Sequence, residues 1–275
     1  MIWKIRQNTV SFGRTLLMGI LNITPDSFSD GGRYLDPEAA VSQALKLVEE
    51  GADILDLGAE STRPGATPVT AKEEWDRLLP VLKRVRKEVF VPISIDTSRA
   101  EVAKKCLELG VEIINDVTGL KRSGREMAKA VKDSGAGIVL MHSRSTPGAM
   151  QDLTDYRDVV QDVMSELRES VKLALDAGID REQIVIDPGL GFAKTPEQNL
   201  EILKNIKAFH ELGFPVLVGP SQKSFIGKIT GRETKDRSFG TAACVAVCVR
   251  DGVQIVRVHE AGAMRDVVRM TEAIM

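Results

Sequence analysis

Eight short apolar runs recur along the chain, and each of them ends in polar residues. The runs are rich in Val, Ile and Leu, a composition typical of strands that are buried on both faces. They span Leu16–Leu21, Ile54–Leu57, Val91–Ile95, Val111–Ile114, Gly137–Leu140, Ile184–Ile186, Val216–Val218 and Gln254–Val256. Because segments with a helical pattern separate the runs, the sequence predicts eight strand–helix units around a parallel sheet.

The predicted helices have recognisable start residues. Thr70–Glu73, Ser98–Glu101 and Thr195–Gln198 have the spacing of capping boxes. Helices are expected over 37–50, 71–88, 99–109, 123–133, 155–177, 196–207 and 238–250. Residues 2–12 alternate weakly, which favours a short hairpin. We therefore predict an α/β fold over 1–275, a single (β/α)₈ TIM barrel with an N-terminal hairpin that closes its bottom.

The polar residues after the runs are the first candidates for a functional site, because the C-terminal strand ends of such a barrel carry the active site. Asp96, Asn115 and Asp187 follow three different runs. Their carboxylates accept hydrogen bonds and the amide both donates and accepts, which suits a flat heterocycle with neighbouring N–H donors. Lys223 would add a positive donor. Three further residues are expected to form apolar walls, namely Val117, Met141 and Phe192.

A second group of residues prefers an anion. Asn22, Arg63, Arg257 and His259 could bind phosphate oxygens, and arginine is suited to bidentate contacts. A Mg²⁺ ion would fit there, because Mg²⁺ commonly takes one or two protein oxygens together with substrate phosphates. The sequence has no His or Cys spacing typical of a transition-metal cage.

Several of these residues also have a structural interpretation. Asp96 and Asp187 could cap helices at strand–helix junctions. Arg257 could form an ordinary ion pair, and His142 and His259 could be hydrogen-bonded core histidines. The sequence alone leaves these alternatives open.

Two long loops rich in turn-forming residues follow the first and second runs. They span 22–32 and 61–68, and both would lie over the barrel mouth, where such loops can act as lids. Phe28 and Arg63 are unusual choices for plain connections. We therefore expect both loops to take part in binding.

Composition excludes several classes of function. Hydrophobic residues make up 43% and charged residues 28% of the chain, as in soluble globular proteins. The net charge of −2 gives no reason to expect nucleic-acid binding. No apolar stretch is long enough to predict a membrane span, and the N-terminus does not have the pattern of a signal peptide. The odd number of cysteines, three, favours reduced thiols and a cytoplasmic protein.

Five segments resemble the dihydropteroate synthase family. They are 17–32, 51–65, 186–195, 223–227 and 257–259. The resemblance implies a TIM-barrel enzyme of folate biosynthesis that condenses 6-hydroxymethyl-7,8-dihydropterin pyrophosphate with p-aminobenzoate. The products would be 7,8-dihydropteroate and pyrophosphate. It also implies a homodimer, inhibition by sulfonamides, Mg²⁺ dependence and an SN1-like reaction.

The resemblance also assigns roles to individual residues. The pterin would be bound by Asp96, Asn115, Val117, Met141, Asp187, Phe192, Gly219 and Lys223. Pyrophosphate would be held by Asn22, Arg63, Arg257 and His259, with Mg²⁺ on Asn22. The p-aminobenzoate site would be bordered by Phe28, Thr62, Arg63, Pro64, Lys223 and Ser224. The catalytic set would comprise Asp96, Asn115, Asp187 and Lys223, with Asp30 supporting the loops as they close.

The chain departs from the family pattern at two positions. Gln222 stands where the family usually has Arg, which puts affinity for p-aminobenzoate and sulfonamides in question. Glu260 replaces a more usual Asp. Two alternatives remain, a pterin-binding paralogue without turnover and a methyltetrahydrofolate-dependent methyltransferase. The methyltransferase would not need Thr62–Gly65 or a long first loop, and both are present.

Overall fold

Eight parallel strands form a nearly closed barrel in the computed structural model, which describes residues 1–24, 37–60, 69–144 and 153–275. The barrel strands are β3 (Leu16–Asn22), β4 (Ile54–Gly58), β5 (Ile93–Asp96), β6 (Ile113–Asp116), β7 (Gly137–Met141), β8 (Ile184–Asp187), β9 (Leu217–Val218) and β10 (Ile255–Val258). Consecutive strands from β3 to β8 pair with one another, and β10 pairs with both β9 and β3. A parallel bridge between Ile186 and Val216 joins β8 to the start of β9. The predicted barrel is confirmed.

Helices surround the barrel on its outside. Those in the described ranges are α1 (Pro37–Glu49), α2 (Ala71–Glu88), α3 (Ala100–Glu108), α4 (Gly124–Ser134), α5 (Val159–Asp176), α6 (Pro196–Lys204), α7 (Ser224–Thr230), α8 (Ser238–Arg250) and α9 (Ala261–Ile274). Their apolar faces pack on the outward side chains of the strands, for example Leu55 and Leu57 of β4. None of the helices in the described ranges is long and apolar enough to cross a bilayer.

The inside of the barrel is divided into an apolar bottom and a polar top, because successive side chains of a strand point to opposite faces. Inward residues near the strand starts form one apolar cluster that includes Met18, Ile54, Val185 and Ile255. Two positions further along the same strands stand Ile20, Asp56, Asp187 and Arg257. In three of these four strands the alternation therefore delivers a polar side chain to the mouth.

A short antiparallel hairpin closes the bottom of the barrel, as predicted. It consists of β1 (Ile2–Ile5) and β2 (Asn8–Ser11). Trp3 and Ile5 are fully buried and belong to the apolar cluster of the barrel interior. A Cβ at Gly137 would lie 2.8 Å from the Trp3 indole nitrogen, so this glycine leaves room for the ring. The indole nitrogen donates to the carbonyl of Gln183 at 2.8 Å.

Two of the three predicted capping boxes are present. Thr70 and Thr195 each cap a helix reciprocally with the residue three positions later. The prediction for Ser98 is wrong, because Arg99 occupies the N-cap position of α3 without a side-chain cap. The Ser98 hydroxyl instead accepts a hydrogen bond from Arg122 at 3.0 Å. A tertiary contact therefore replaces the local cap.

Candidate active site

The strand register places several predicted site residues in one row at the barrel mouth. Asn22 of β3 pairs with Gly58 of β4, Gly58 pairs with Asp96 of β5, and Asp96 pairs with Asn115 of β6. Farther round the barrel, Met141 of β7 pairs with Asp187 of β8. The sheet itself therefore brings together side chains that lie far apart in sequence.

Opposite charges meet at the centre of this mouth. Arg257 donates from Nε to Asp56 Oδ2 at 2.5 Å and from Nη2 to Asp96 Oδ2 at 2.8 Å. Asn115 donates from Nδ2 to the same Asp56 oxygen at 3.0 Å. Among the described residues, the buried Asp56 Oδ1 and Asn115 Oδ1 have no hydrogen-bond partner. Buried polar atoms without partners are costly, so this cluster has unused acceptor capacity for a ligand.

Asp56 was not predicted as a site residue. It is fully buried in β4, between Leu55 and Leu57 on the outer face. The signal was available, because an acidic residue inside an otherwise apolar strand must point into the barrel and needs a partner there. In the structure that partner is Arg257. The ion pair between Arg257 and Asp56 is largely buried, so Arg257 does not form an ordinary surface ion pair.

Burial shifts the protonation of the acidic groups at the mouth. It raises the pKa of Asp96 to about 7, with Arg257 opposing the shift and Asp56 adding to it. It raises the pKa of Asp187 to about 6, against the Gly189 N–H that donates to Asp187 Oδ1 at 2.7 Å. Both carboxyl groups therefore titrate close to neutrality, and a ligand that donates N–H groups would favour their ionised forms.

Lys223 completes the charge arrangement. Burial, followed by the Arg257 charge, lowers the pKa of Lys223 to about 8, while Asp187 raises it. Its ammonium group lies 4.4 Å from the ring centroid of Phe192, a cation–π distance. A Cβ at Gly191 would lie 3.0 Å from the Lys223 side chain, so the glycine gives this lysine room.

An apolar wall stands next to these polar groups. Val117, Met141 and Phe192, the three predicted wall residues, form one cluster together with Ala193. All four side chains are less than a tenth exposed. The site thus combines a flat apolar surface with convergent hydrogen-bonding groups, the usual composition of a small-molecule site.

A second polar group is centred on His259. Asn22 Nδ2 lies 3.5 Å from His259 Nε2, and Ser221 Oγ lies 2.9 Å from His259 Nδ1. The His259 backbone N–H also donates to Ser221 Oγ at 3.2 Å. Ser221, which lies three residues after the run Val216–Val218, was not predicted as a site residue. Arg257, predicted for the same anion, faces Asp56 and Asp96 in this structure.

The donor set for a metal ion is small. Within the described ranges no group of three His, Cys, Asp or Glu side chains could hold a metal. The amide nitrogen of Asn22 faces His259, which leaves its amide oxygen as a hard ligand. One protein oxygen beside an anion site fits Mg²⁺ that is carried largely by substrate phosphates.

Two further predicted residues, Gly219 and Ser224, adjoin the groups described above, and the rest lie outside the described ranges. Ser224 is exposed and begins α7, and a Cβ at Gly219 would lie 3.8 Å from Cβ of Arg257. His142 is buried between Lys194 and Glu166 rather than at the mouth, which supports its structural interpretation. The predicted residues that lie outside the described ranges are Phe28, Asp30, Thr62, Arg63 and Pro64.

Comparison with known proteins gives consistent matches over nearly the whole chain. A family model described as pterin binding enzyme matches residues 18–259. A curated dihydropteroate synthase of Synechocystis sp. is 46% identical over 262 residues, which cover 95% of this chain and 90% of the relative. The matched span includes every strand of the barrel except the first two residues of β3.

Solved structures give the same result. The Xanthomonas albilineans dihydropteroate synthase with 4-aminobenzoic acid has a TM-score of 0.92 and 40% identity, covering 100% of this chain and 98% of that one. The Yersinia pestis dihydropteroate synthase in a sulfonamide drug complex has a TM-score of 0.93 and 34% identity, covering 100% and 99%. The similarity therefore extends over both the barrel and its mouth.

Proposed function

This chain belongs to the pterin-binding enzymes and, among them, to the dihydropteroate synthases, which transfer an alkyl group. From that premise we propose that it condenses 6-hydroxymethyl-7,8-dihydropterin pyrophosphate with p-aminobenzoate. The products are 7,8-dihydropteroate and pyrophosphate. One observation carries the proposal: two carboxyl groups, the buried Asp187 and Asp96, whose side chain is 10% exposed, lie beside Asn115 and an apolar wall.

The pterin side of the mouth matches the chemistry of the ring. The amino-pyrimidinone edge presents adjacent N–H donors, and ionised Asp187 and Asp96 are acceptors of the right charge. Asn115 supplies both a donor and an acceptor. Met141 and Phe192 contact the flat faces of the ring, and Lys223 reaches a ring nitrogen or carbonyl.

We propose an SN1-like order of bond changes. The C–O bond to pyrophosphate breaks first, and pyrophosphate leaves with the electron pair. The pterin-methyl cation that remains is stabilised by the carboxylates of Asp96 and Asp187, and such preorganised charge is a large catalytic term. The aniline nitrogen of p-aminobenzoate then attacks and loses a proton. The described residues at the mouth include no evident protein nucleophile, which supports this order over a covalent intermediate.

The leaving group needs positive or hydrogen-bonding partners. Asn22, Ser221 and His259 form the polar group that we assign to pyrophosphate. A Mg²⁺ ion bound through Asn22 would neutralise phosphate charge. Arg257 is a cation of the described mouth whose present partners, Asp56 and Asp96, could share it with a phosphate.

The second substrate is assigned to the outer side of the mouth. Lys223 and Ser224 at the start of α7 border it, together with the predicted loop residues. We also propose that sulfonamides, which carry the same aniline as p-aminobenzoate, compete for this position.

A first experiment combines wild-type protein with both substrates and Mg²⁺, and measures dihydropteroate and pyrophosphate. We expect the two products in equal amounts. Asp187→Asn should lower kcat/KM for the dihydropterin pyrophosphate by about 100-fold, because a charge-assisted acceptor is lost in a buried site. Asp176→Asn, on the exposed end of α5, is the matched control and should retain full activity.

The alternatives predict other results. Tight pterin binding without pyrophosphate release would identify a paralogue that binds without turnover. Methyl transfer from methyltetrahydrofolate would identify a methyltransferase. Pyrophosphate release without dihydropteroate would locate the defect in the p-aminobenzoate half, where Gln222 departs from the family.

We also propose a cytoplasmic homodimer. All three cysteines, Cys106, Cys244 and Cys248, are free thiols, as expected in a reducing compartment. Phe239, in the first turn of the apolar helix α8, is 91% exposed. A second copy would cover this side chain, and the mass in solution tests the assignment.

A further inference from the structure

Ser221 and Lys223 are separated by one residue, yet they serve different parts of the mouth. The Ser221 hydroxyl lies 2.9 Å from His259 Nδ1, in the polar group assigned to pyrophosphate. The Lys223 ammonium lies 4.4 Å from the Phe192 ring centroid, on the pterin side. The backbone of the intervening residue therefore determines whether both side chains reach their places.

That residue, Gln222, has a backbone conformation that is unusual for its type. Its φ of 57° lies in the left-handed region, which non-glycine residues seldom adopt. The Lys223 N–H points back to the Pro220 carbonyl at 3.5 Å, so Gln222 is the third residue of a tight turn. Turns with a positive φ at this position favour Gly or Asn. A glutamine stays in this conformation only where the surrounding structure holds it.

The start of helix α8 holds both backbone polar groups of Gln222, through Thr241 in its first turn and through its N-cap residue Arg237. The Gln222 N–H donates to Thr241 Oγ1 at 3.1 Å, and its carbonyl accepts from Arg237 Nη1 at 2.9 Å. Thr241 is only 1% exposed, so little water competes for its hydroxyl. Arg237 Nε also donates to the Arg232 carbonyl at 3.2 Å, which fixes the plane of the guanidinium.

The packing of α7 against α8 supports the same contact. A Cβ at Gly227 of α7 would overlap the guanidinium of Arg237, so the glycine makes room for it. A Cβ at Gly240 of α8 would overlap Ile226 in the same way. The two helices approach closely where the turn at Gln222 is held.

We infer that Thr241 and Arg237 are positioning residues for the reaction, because they hold the left-handed turn at Gln222 and thereby direct Ser221 and Lys223 into separate subsites. The role of position 222 is then carried by its backbone. This explains how a glutamine can stand where the family usually has arginine. The inference rests on the proposed function, since it concerns the site assigned to the dihydropterin pyrophosphate.

The test removes the hydroxyl acceptor and then restores it. Thr241→Val should raise KM for the dihydropterin pyrophosphate by about tenfold, the effect of one lost hydrogen bond. Thr241→Ser should bring it back to within about threefold of wild type, because the acceptor returns. Thr271→Val is the control for the loss of a threonine hydroxyl away from the mouth, since the Thr271 hydroxyl donates to the Val267 carbonyl within α9. Circular dichroism and thermal unfolding establish that each variant folds.

Two further variants test the turn independently of Thr241. Gln222→Gly should keep KM for the dihydropterin pyrophosphate within about threefold of the wild-type value, because glycine adopts a positive φ readily and the glutamine side chain is not required. Arg237→Met should raise this KM as Thr241→Val does. Arg232→Met is the control and should leave KM unchanged, because it keeps the backbone carbonyl that accepts from Arg237. These variants carry the test if Thr241→Val fails to fold.

The outcomes separate this inference from the proposed function. Wild-type protein that forms no dihydropteroate refutes the proposed function. If wild-type protein is active and the folded Thr241→Val and Arg237→Met variants have an unchanged KM, only the inference is refuted. A Thr241→Ser variant as impaired as Thr241→Val would also overturn it, because the effect would then not depend on the hydroxyl.

Discussion

At the scale of single residues, the site is defined by buried groups whose partners lie on other strands. Arg257 contacts Asp56 and Asp96, and the pairing with Asp56 spans 201 positions of sequence. The sequence indicated Asp96, Asn115 and Arg257 because they end apolar runs. It could not indicate which charges pair, since pairing depends on strand order and register.

Removing Asp56 should destabilise the protein. Asp56→Ala leaves the largely buried Arg257 guanidinium without one of its two carboxyl partners, and breaking such a pair costs about 3 kcal/mol. Urea unfolding of the variant against wild type measures the difference in the free energy of unfolding. Asp76→Ala, in the exposed Lys72 pair of α2, is the control and should unfold like wild type. Equal stability of Asp56→Ala and Asp76→Ala would contradict the assignment.

At the scale of elements, a buried network joins the end of β7, the segment after β8 and helix α5. The Lys194 ammonium lies 2.9 Å from His142 Nδ1 and donates to the carbonyls of Gly189 and Phe192 at 3.0 and 2.9 Å. His142 Nε2 lies 3.1 Å from Glu166 of α5. Short sequence patterns correctly predicted the helix caps at Thr70 and Thr195, although the same pattern failed at Ser98. No short pattern could predict the network of Lys194, His142 and Glu166, because these residues come from separate elements.

This network predicts loss of stability in acid. Burial, followed by the Lys194 charge, lowers the pKa of His142 from 6.5 to about 3. Below pH 6.5 the unfolded chain takes up a proton that the folded protein does not, so acidification favours unfolding. Between pH 6 and pH 5, wild type should lose about 1.2 kcal/mol of unfolding free energy more than His142→Gln, which has no such proton. Urea unfolding at both pH values measures this, and parallel losses would contradict it.

At the scale of the whole molecule, the barrel follows from the repeated pattern of strands and helices, and its mouth follows from the alternation along each strand. The sequence predicted the hairpin at the bottom, which the buried Trp3 and Ile5 confirm. It missed the exact strand ends. β5 and β6 begin two residues later than predicted and include the first polar residue, because pairing continues to Asp96 and Asp116. Strand ends depend on partners that a single run does not show.

The most direct test of the central claim is a calorimetric titration of the dihydropterin pyrophosphate with Mg²⁺ at pH 8 and pH 5, on wild type and Asp187→Asn. Burial raises the pKa of Asp187 to about 6. At pH 5 this carboxyl is mostly protonated and has lost the charge that makes it a strong acceptor for the pterin N–H groups. We therefore predict that wild-type affinity is at least about tenfold weaker at pH 5 than at pH 8. The variant should bind more weakly at pH 8 and show a smaller change with pH, while equal affinities and equal pH dependence in both proteins would contradict the account.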